Sequence, residues 1–91
     1  MDETMLRRHL ARAERHVAEG EVHLARQREL IRKLERDGHG SRAARRFLRS
    51  LEETQALHVA DRDRVRAELR RACKTLRTSR SPAVAMMWPS R

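Results

Sequence analysis

The sequence predicts an all-α protein, folded as an antiparallel two-helix hairpin of the coiled-coil type. Two long segments each repeat apolar residues at seven-residue spacing, which is typical of paired helices. The turn-forming stretch Asp37-Gly38-His39-Gly40-Ser41 separates them. Aromatic residues make up only 2% of the 91 residues, and no β-branched runs suggest a sheet. The hairpin is expected to occupy residues 1–77 as one domain.

The first helix is expected at residues 3–37, because two apolar rows form one continuous stripe along it. Gly20 interrupts the stripe at a cost of about 1 kcal/mol relative to alanine. A lone glycine of this kind is typical of a close-packing point. The rows are Leu10, Val17, Leu24 and Ile31, and Leu6, Ala13, Gly20, Gln27 and Leu34.

The turn is expected at residues 38–41, where a glycine can adopt the left-handed conformation and the Ser41 hydroxyl can cap the next helix. The second helix is expected at residues 42–77. Its two rows are Ala44, Leu51, His58, Val65 and Ala72, and Leu48, Gln55, Arg62, Leu69 and Leu76.

A fold-back near residue 39 makes the numbers of facing residues sum to about 77 to 80. On one edge this rule pairs opposite charges: Glu35 with Arg45, Arg28 with Glu52, and Glu14 with Arg66. On the other edge it pairs Leu30 with Phe47, His23 with Thr54, His16 with Asp61, and His9 with Glu68. Exposed ion pairs contribute only about 0–1 kcal/mol each, so they select the register.

The middle of the predicted core is polar, at Gln27, Gln55, His58 and Arg62. The pairing rule places His58 opposite Gly20, whose missing side chain leaves room for an imidazole. Two interpretations stay open. Either these residues form a polar core layer that specifies register, or the apolar stripe shifts around helix 2 so that they face solvent. A carboxylate beside a histidine favours the protonated ring, so the predicted histidine-carboxylate pairs indicate stability that is lost as pH rises.

Residues 78–91 are expected to form a flexible tail that leaves the helix at Ser81-Pro82. A short apolar patch at residues 84–88 either docks on a neighbouring helix or belongs to a disordered end.

The net charge of +9 comes almost entirely from arginine. Either the arginines bind phosphates, or they reflect a GC-rich coding sequence. A basic nucleic-acid-associated protein is therefore the alternative function, although the chain has no zinc-finger spacing, no third helix and no aromatic stacking platform. The candidate phosphate contacts lie on helix 2 at Arg42, Arg45, Arg46, Arg49, Arg70, Arg71, Lys74 and Arg77.

No residue pattern indicates catalysis, a metal or a cofactor. Cys73 is the only cysteine, which excludes an internal disulfide and fits a reducing compartment. Asp61 and Asp63 point away from each other on a helix. His9, His16 and His23 are spaced about 10.5 Å apart along the helix axis, too far to share one metal ion.

Two stretches, RHLARAERHVAEGE (residues 8–21) and LEETQALHVADRDR (residues 51–64), resemble those of short, uncharacterised bacterial helical-hairpin proteins. The resemblance covers about residues 5–70. It implies a bacterial cytosolic origin and carries no site residues, because that group has no established function.

A two-helix hairpin buries one face of each helix, so self-association into a dimeric four-helix bundle is expected. The sequence thus favours a non-enzymatic assembly or interaction module.

The charged start of the chain lacks the apolar stretch of a signal peptide, and no segment is apolar enough to span a membrane, so a cytoplasmic location is expected. The candidate core and interface residues are Leu10, Val17, Leu24, Ile31, Phe47, Leu51, Val65 and Leu69.

Overall fold

Two long helices packed antiparallel form the protein, as the sequence predicts. The computed structural model describes the backbone of residues 2–87 and the side chains of residues 2–75. α1 spans Glu3–Arg36 and α2 spans Arg42–Met87, with contacts between them along the length of α1. The described part of the chain contains no strand.

α1 has well-defined caps at both ends. At its start, the Asp2 carboxylate accepts a hydrogen bond of 2.8 Å from the Met5 amide, which satisfies one of the free amides of the first turn. At its end, His39 N–H donates to Leu34 C=O and Gly38 N–H donates to Glu35 C=O, at 2.8 and 3.2 Å. These two bonds form a Schellman motif.

The Schellman motif requires a left-handed residue, and Gly38 supplies it with φ of 76°. Gly40 lies two residues later in the same turn with no positive φ, and both glycines have open space around them.

Gly38→Ala is therefore expected to lower the free energy of unfolding by about 1 kcal/mol, because a side chain there is strained. Gly40→Ala should cause no loss. Thermal unfolding of the two variants compares them directly, and equal losses would contradict this assignment.

Ser41 lies at the predicted N-cap position of α2, and its carbonyl accepts a hydrogen bond of 2.8 Å from the Arg45 amide. Its hydroxyl has a different role from the one predicted. It donates to Glu35 Oε2 at 3.0 Å and accepts from Arg45 Nε at 3.2 Å. Ser41 thus connects the end of α1 to the first turn of α2.

α2 extends to Met87 with Pro82 inside it, beyond the predicted helix end at residue 77 and the predicted exit from the helix at Ser81-Pro82. A proline inside a helix costs one hydrogen bond and a steric clash. The residues that follow it, Ala83-Val84-Ala85-Met86-Met87, contain strong helix formers and no glycine to end the helix. Residues 88–91 lie outside the described residues. The predicted apolar patch at residues 84–88 lies outside the described side chains.

The core is a single thin stripe. Its buried apolar side chains are Leu6, Ala13, Val17, Leu24, Ile31 and Val65. The prediction is therefore right for Val17, Leu24, Ile31 and Val65. Leu10, Leu51 and Leu69 are half-buried. Phe47 is 56% exposed, so it is not a core residue, and its place in an interface stays a prediction.

Candidate functional site: the two flanks of the hairpin

One side of the hairpin carries ion pairs that join the helices. Arg28 pairs with Glu52 at 3.5 Å and Arg66 with Glu14 at 3.4 Å. Glu35 pairs with Arg45 beside the turn. These are the three charge pairs predicted from the sequence, and they confirm the register on this edge. We call this side the ion-pair flank.

The ion-pair flank continues to the open end of the hairpin, where Arg7 faces Cys73. An Arg7 guanidinium nitrogen lies 3.9 Å from Cys73 Sγ, and Sγ lies 3.5 Å from Glu3 Oε1. Arg7 also pairs with Glu3 at 3.0 Å. The half-buried thiol therefore contacts both charges of a surface ion pair.

At the turn, hydrogen bonds from Arg45 and then from Ser41 lower the pKa of the Glu35 carboxyl. Because the folded-state pKa is lowered, the resulting stabilisation is present at neutral pH and is lost as pH falls through that lowered pKa. The carboxyl is exposed, so this pair contributes little to stability and mainly holds the turn in register.

In the middle of the hairpin, Gly20 packs against Gln55, and His58, which the sequence placed opposite Gly20, lines the same pocket as Gly20. A Cβ built on Gly20 would lie 1.8 Å from Gln55 Oε1, so only glycine accommodates this side chain. Gln55 is 7% exposed. Its Nε2 donates to Val17 C=O at 2.9 Å and to Glu21 Oε1 at 3.2 Å. The amide of Gln55 therefore crosses to α1 through the gap that Gly20 leaves.

A second glutamine makes a matching bond from α1 to α2. Gln27 Nε2 donates to Ala44 C=O at 2.9 Å. Of the two interpretations of the polar positions, the structure selects the inward one for Gln27 and Gln55. Arg62 is half-buried and pairs with its neighbour Asp63 at 3.1 Å.

The side opposite the ion pairs has a different character, and we call it the histidine flank. It consists of two rows of residues at seven-residue spacing, one on each helix. The rows are His9, His16, His23 and Leu30 on α1, and Phe47, Thr54, Asp61 and Glu68 on α2. His16 lies two residues from Glu14, which is about 200° around the helix. The two flanks therefore border the core from opposite sides.

A small pocket of about 120 Å³ lies in the middle of this flank. The ring centroids of His16 and His58 are 5.3 Å apart at its edge. His58 Nδ1 and Gln55 Oε1 are both buried without a hydrogen-bond partner among the described residues. The lining residues are His16, Glu19, Gly20, His23, Leu51, Thr54, Gln55 and His58.

The predicted pairs of His16 with Asp61 and of His9 with Glu68 do not form. Arg64 instead binds both carboxylates, Asp61 at 2.6 Å and Glu68 at 3.0 Å. Arg64 lies three and four residues from them on the same helix, so it reaches them without crossing to α1. Sequence reasoning compared residues only across the hairpin and missed this competitor.

The histidine flank also leaves apolar side chains exposed. Leu30 is 44% and Phe47 is 56% exposed, both near the turn. Neither seven-residue series of this flank contains any of the 22 lysines and arginines of the chain. In a chain of net charge +9, these two series contribute no cation of their own, and Arg64 is bound to two of their carboxylates, Asp61 and Glu68.

The candidate phosphate contacts lie on the exposed side of α2, which we call its outer face, although Arg45 reaches Glu35 of α1, and Arg70 and Lys74 line a surface pocket with Arg7 of α1. Arg45 is engaged with Glu35, and the side chain of Arg77 lies outside the described residues. The other six are exposed, and within the described side chains no carboxylate forms an ion pair with them. They are Arg42, Arg46, Arg49, Arg70, Arg71 and Lys74.

Among residues 2–75, no group of three or more histidine, cysteine or acidic side chains is arranged to hold a metal ion. No helix in the described region has a stretch apolar enough to cross a membrane. Comparison with family models, curated proteins and solved structures finds no match to this chain.

Proposed function

We propose that this chain is a non-enzymatic helical assembly module, in which two copies pair through their histidine flanks into a four-helix bundle. The observation that carries the proposal is the exposure of Leu30 and Phe47, at 44% and 56%, on a flank whose two rows contain no lysine or arginine. Large apolar side chains exposed on one side of a protein are typical of an interaction site.

The thin core supports the proposal. Six apolar side chains are buried, and no large side chain among the described residues is below 2% exposed. A two-helix hairpin has no third layer to cover these side chains, so a second hairpin adds the missing burial. At about 25 cal/mol per Å² of apolar surface, covering the histidine flank stabilises each copy.

Charge supports this flank over the other faces. Two copies of net charge +9 repel each other. The outer face of α2 would bring arginines together, and the carboxylates of the ion-pair flank are already engaged within the hairpin. Contact through the histidine flank keeps the arginines of the outer face of α2 at the periphery, and the charge of Arg64 on this flank is matched by Asp61 and Glu68.

The test is the solution mass of the protein near pH 8, measured by sedimentation equilibrium. We expect twice the chain mass of 10.7 kDa. Leu30→Arg places a cation inside the proposed interface and should weaken the dimer at least tenfold, about 1.4 kcal/mol. Val22→Arg is the matched control, because Val22 is 46% exposed on the outermost face of α1. It should leave the mass unchanged.

Three results would overturn the proposal: a wild-type monomer that melts cooperatively at high temperature, equal masses for the two variants, or loss of the dimer in Val22→Arg alone. Circular dichroism reports whether Leu30→Arg stays helical. If it loses helix as it dissociates, the isolated hairpin is not stable, which agrees with the thin core.

The second candidate function is phosphate binding on nucleic acid, favoured by the six exposed cations of α2 that lack carboxylate partners in the described region. A mobility-shift assay with DNA and RNA at about 50 and 200 mM salt tests it, because phosphate contacts give affinity that falls steeply with salt. Tight, salt-sensitive binding that is lost in Arg70→Gln/Arg71→Gln would make this the primary function.

A further inference from the structure

We infer that acid opens this assembly, and that the trigger is the histidine cluster at the middle of the histidine flank. The inference rests on the proposed function and adds a regulation to it. Histidine is the side chain whose charge ordinarily changes between about pH 5 and 8. Three of the five histidines, His16, His23 and His58, line one pocket there.

The pocket lies at the centre of the hairpin. It is built around Gly20, near the midpoint of α1, and Gln55 across from it. In a two-fold symmetric dimer whose hairpins overlap along their length, the residues near the axis meet the same residues of the second copy. The pocket of one copy therefore faces the pocket of the other.

The charged groups that face the histidine cluster determine whether protonation stabilises or destabilises the dimer. From α1, Glu19 is the carboxylate that lines the pocket with His16 and His23. From α2, the neighbouring Asp61 and Arg62 are engaged with Arg64 and Asp63. If all three histidines were protonated, each copy would carry three positive rings and one carboxylate at this pocket. In the dimer, two such positively charged pockets would face each other across the axis and repel.

The charges would be concentrated at one point of the flank, because the ring centroids of His16 and His58 are 5.3 Å apart within one copy.

The dimer therefore binds fewer protons than the separated copies, and by linkage its stability falls as pH falls. This is the opposite of the direction predicted from histidine-carboxylate pairs, because Arg64 holds those carboxylates. If dissociation takes up one proton per copy, the dissociation constant rises about 100-fold for each unit by which the pH falls.

Sedimentation equilibrium at pH 8, 7, 6 and 5, at constant salt, tests the inference. Wild type should be dimeric at pH 8 and dissociate toward pH 5. His16→Gln/His58→Gln should remain dimeric at pH 5, because glutamine does not titrate. His16→Gln alone, at an exposed position, should shift the transition to lower pH and serves if the double variant does not fold. His39→Gln, in the turn, is the control and should behave as wild type.

The outcomes separate the two proposals. A wild-type monomer at pH 8 overturns the assembly proposal and this inference with it. A wild-type dimer that persists unchanged at pH 5 overturns only the inference. Dissociation at pH 5 in both glutamine variants, to the same extent as in wild type, also overturns it, because the proton would then act elsewhere.

Discussion

Leu24→Ala is expected to lower the free energy of unfolding by about 2–3 kcal/mol. Leu24 is 6% exposed in the middle of the only core stripe of the described hairpin. The truncation removes apolar burial and leaves a cavity between two long helices. Because 1 kcal/mol shifts the melting temperature of a domain this size by about 4–8 °C, the midpoint should fall by at least about 8 °C. Thermal unfolding followed by circular dichroism, at one fixed protein concentration, measures it.

Leu57→Ala is the matched control for this change. It deletes the same atoms from the same kind of helix, but Leu57 is 70% exposed. We expect a change within about 0.5 kcal/mol, as for most surface positions. Equal losses for Leu24→Ala and Leu57→Ala would show that the stripe is not the core.

Gly20→Ala is expected to destabilise the hairpin by about 1 kcal/mol, although helix propensity alone predicts a gain of about 1 kcal/mol. The new methyl group would coincide with Gln55 Oε1, which lies 1.8 Å from the Cβ position. Gln55 must then leave its place and give up the hydrogen bond to Val17 C=O. The cost of a buried amide without its partner, about 1–3 kcal/mol, exceeds the propensity gain.

A double-mutant cycle with Gln55→Ala isolates this contact. In the Gln55→Ala background the obstacle is gone, so Gly20→Ala should stabilise the protein by up to about 1 kcal/mol. The sign of the Gly20→Ala effect therefore reverses between backgrounds, with a coupling energy of about 1–2 kcal/mol. A stabilising effect in both backgrounds would show that Gln55 moves aside at no cost.

The register of the ion-pair flank could be predicted from sequence because heptad spacing converts residue numbers into positions. Once the turn is placed near residue 39, the partner of Arg28 follows by subtraction, and Glu52 is within ion-pair distance at 3.5 Å. The same reasoning placed Leu24 and Ile31 in the core. These are consequences of helix periodicity, and they need no information about side-chain conformation.

On the histidine flank, heptad spacing was not sufficient to predict the contacts. The spacing predicts which residues face each other to within a helical turn, but a polar side chain can bind any partner within reach. Asp61 binds Arg64 on its own helix rather than His16. Gln55 fills the space beside Gly20, where its amide donates a hydrogen bond to Val17 C=O. The candidate pH-sensing cluster depends on both choices.

The sequence by itself determined the hairpin, its turn, its register and its thin apolar stripe, because periodicity, glycine placement and facing charges act locally or through spacing alone. Only the tertiary structure decided what the polar residues do. In it, Gln27 and Gln55 point inward, His16 lies beside His58, and Leu30 and Phe47 stay exposed on the histidine flank. The physical reason is that hydrogen bonds and ring contacts depend on distances within a few ångströms, which a seven-residue repeat does not specify.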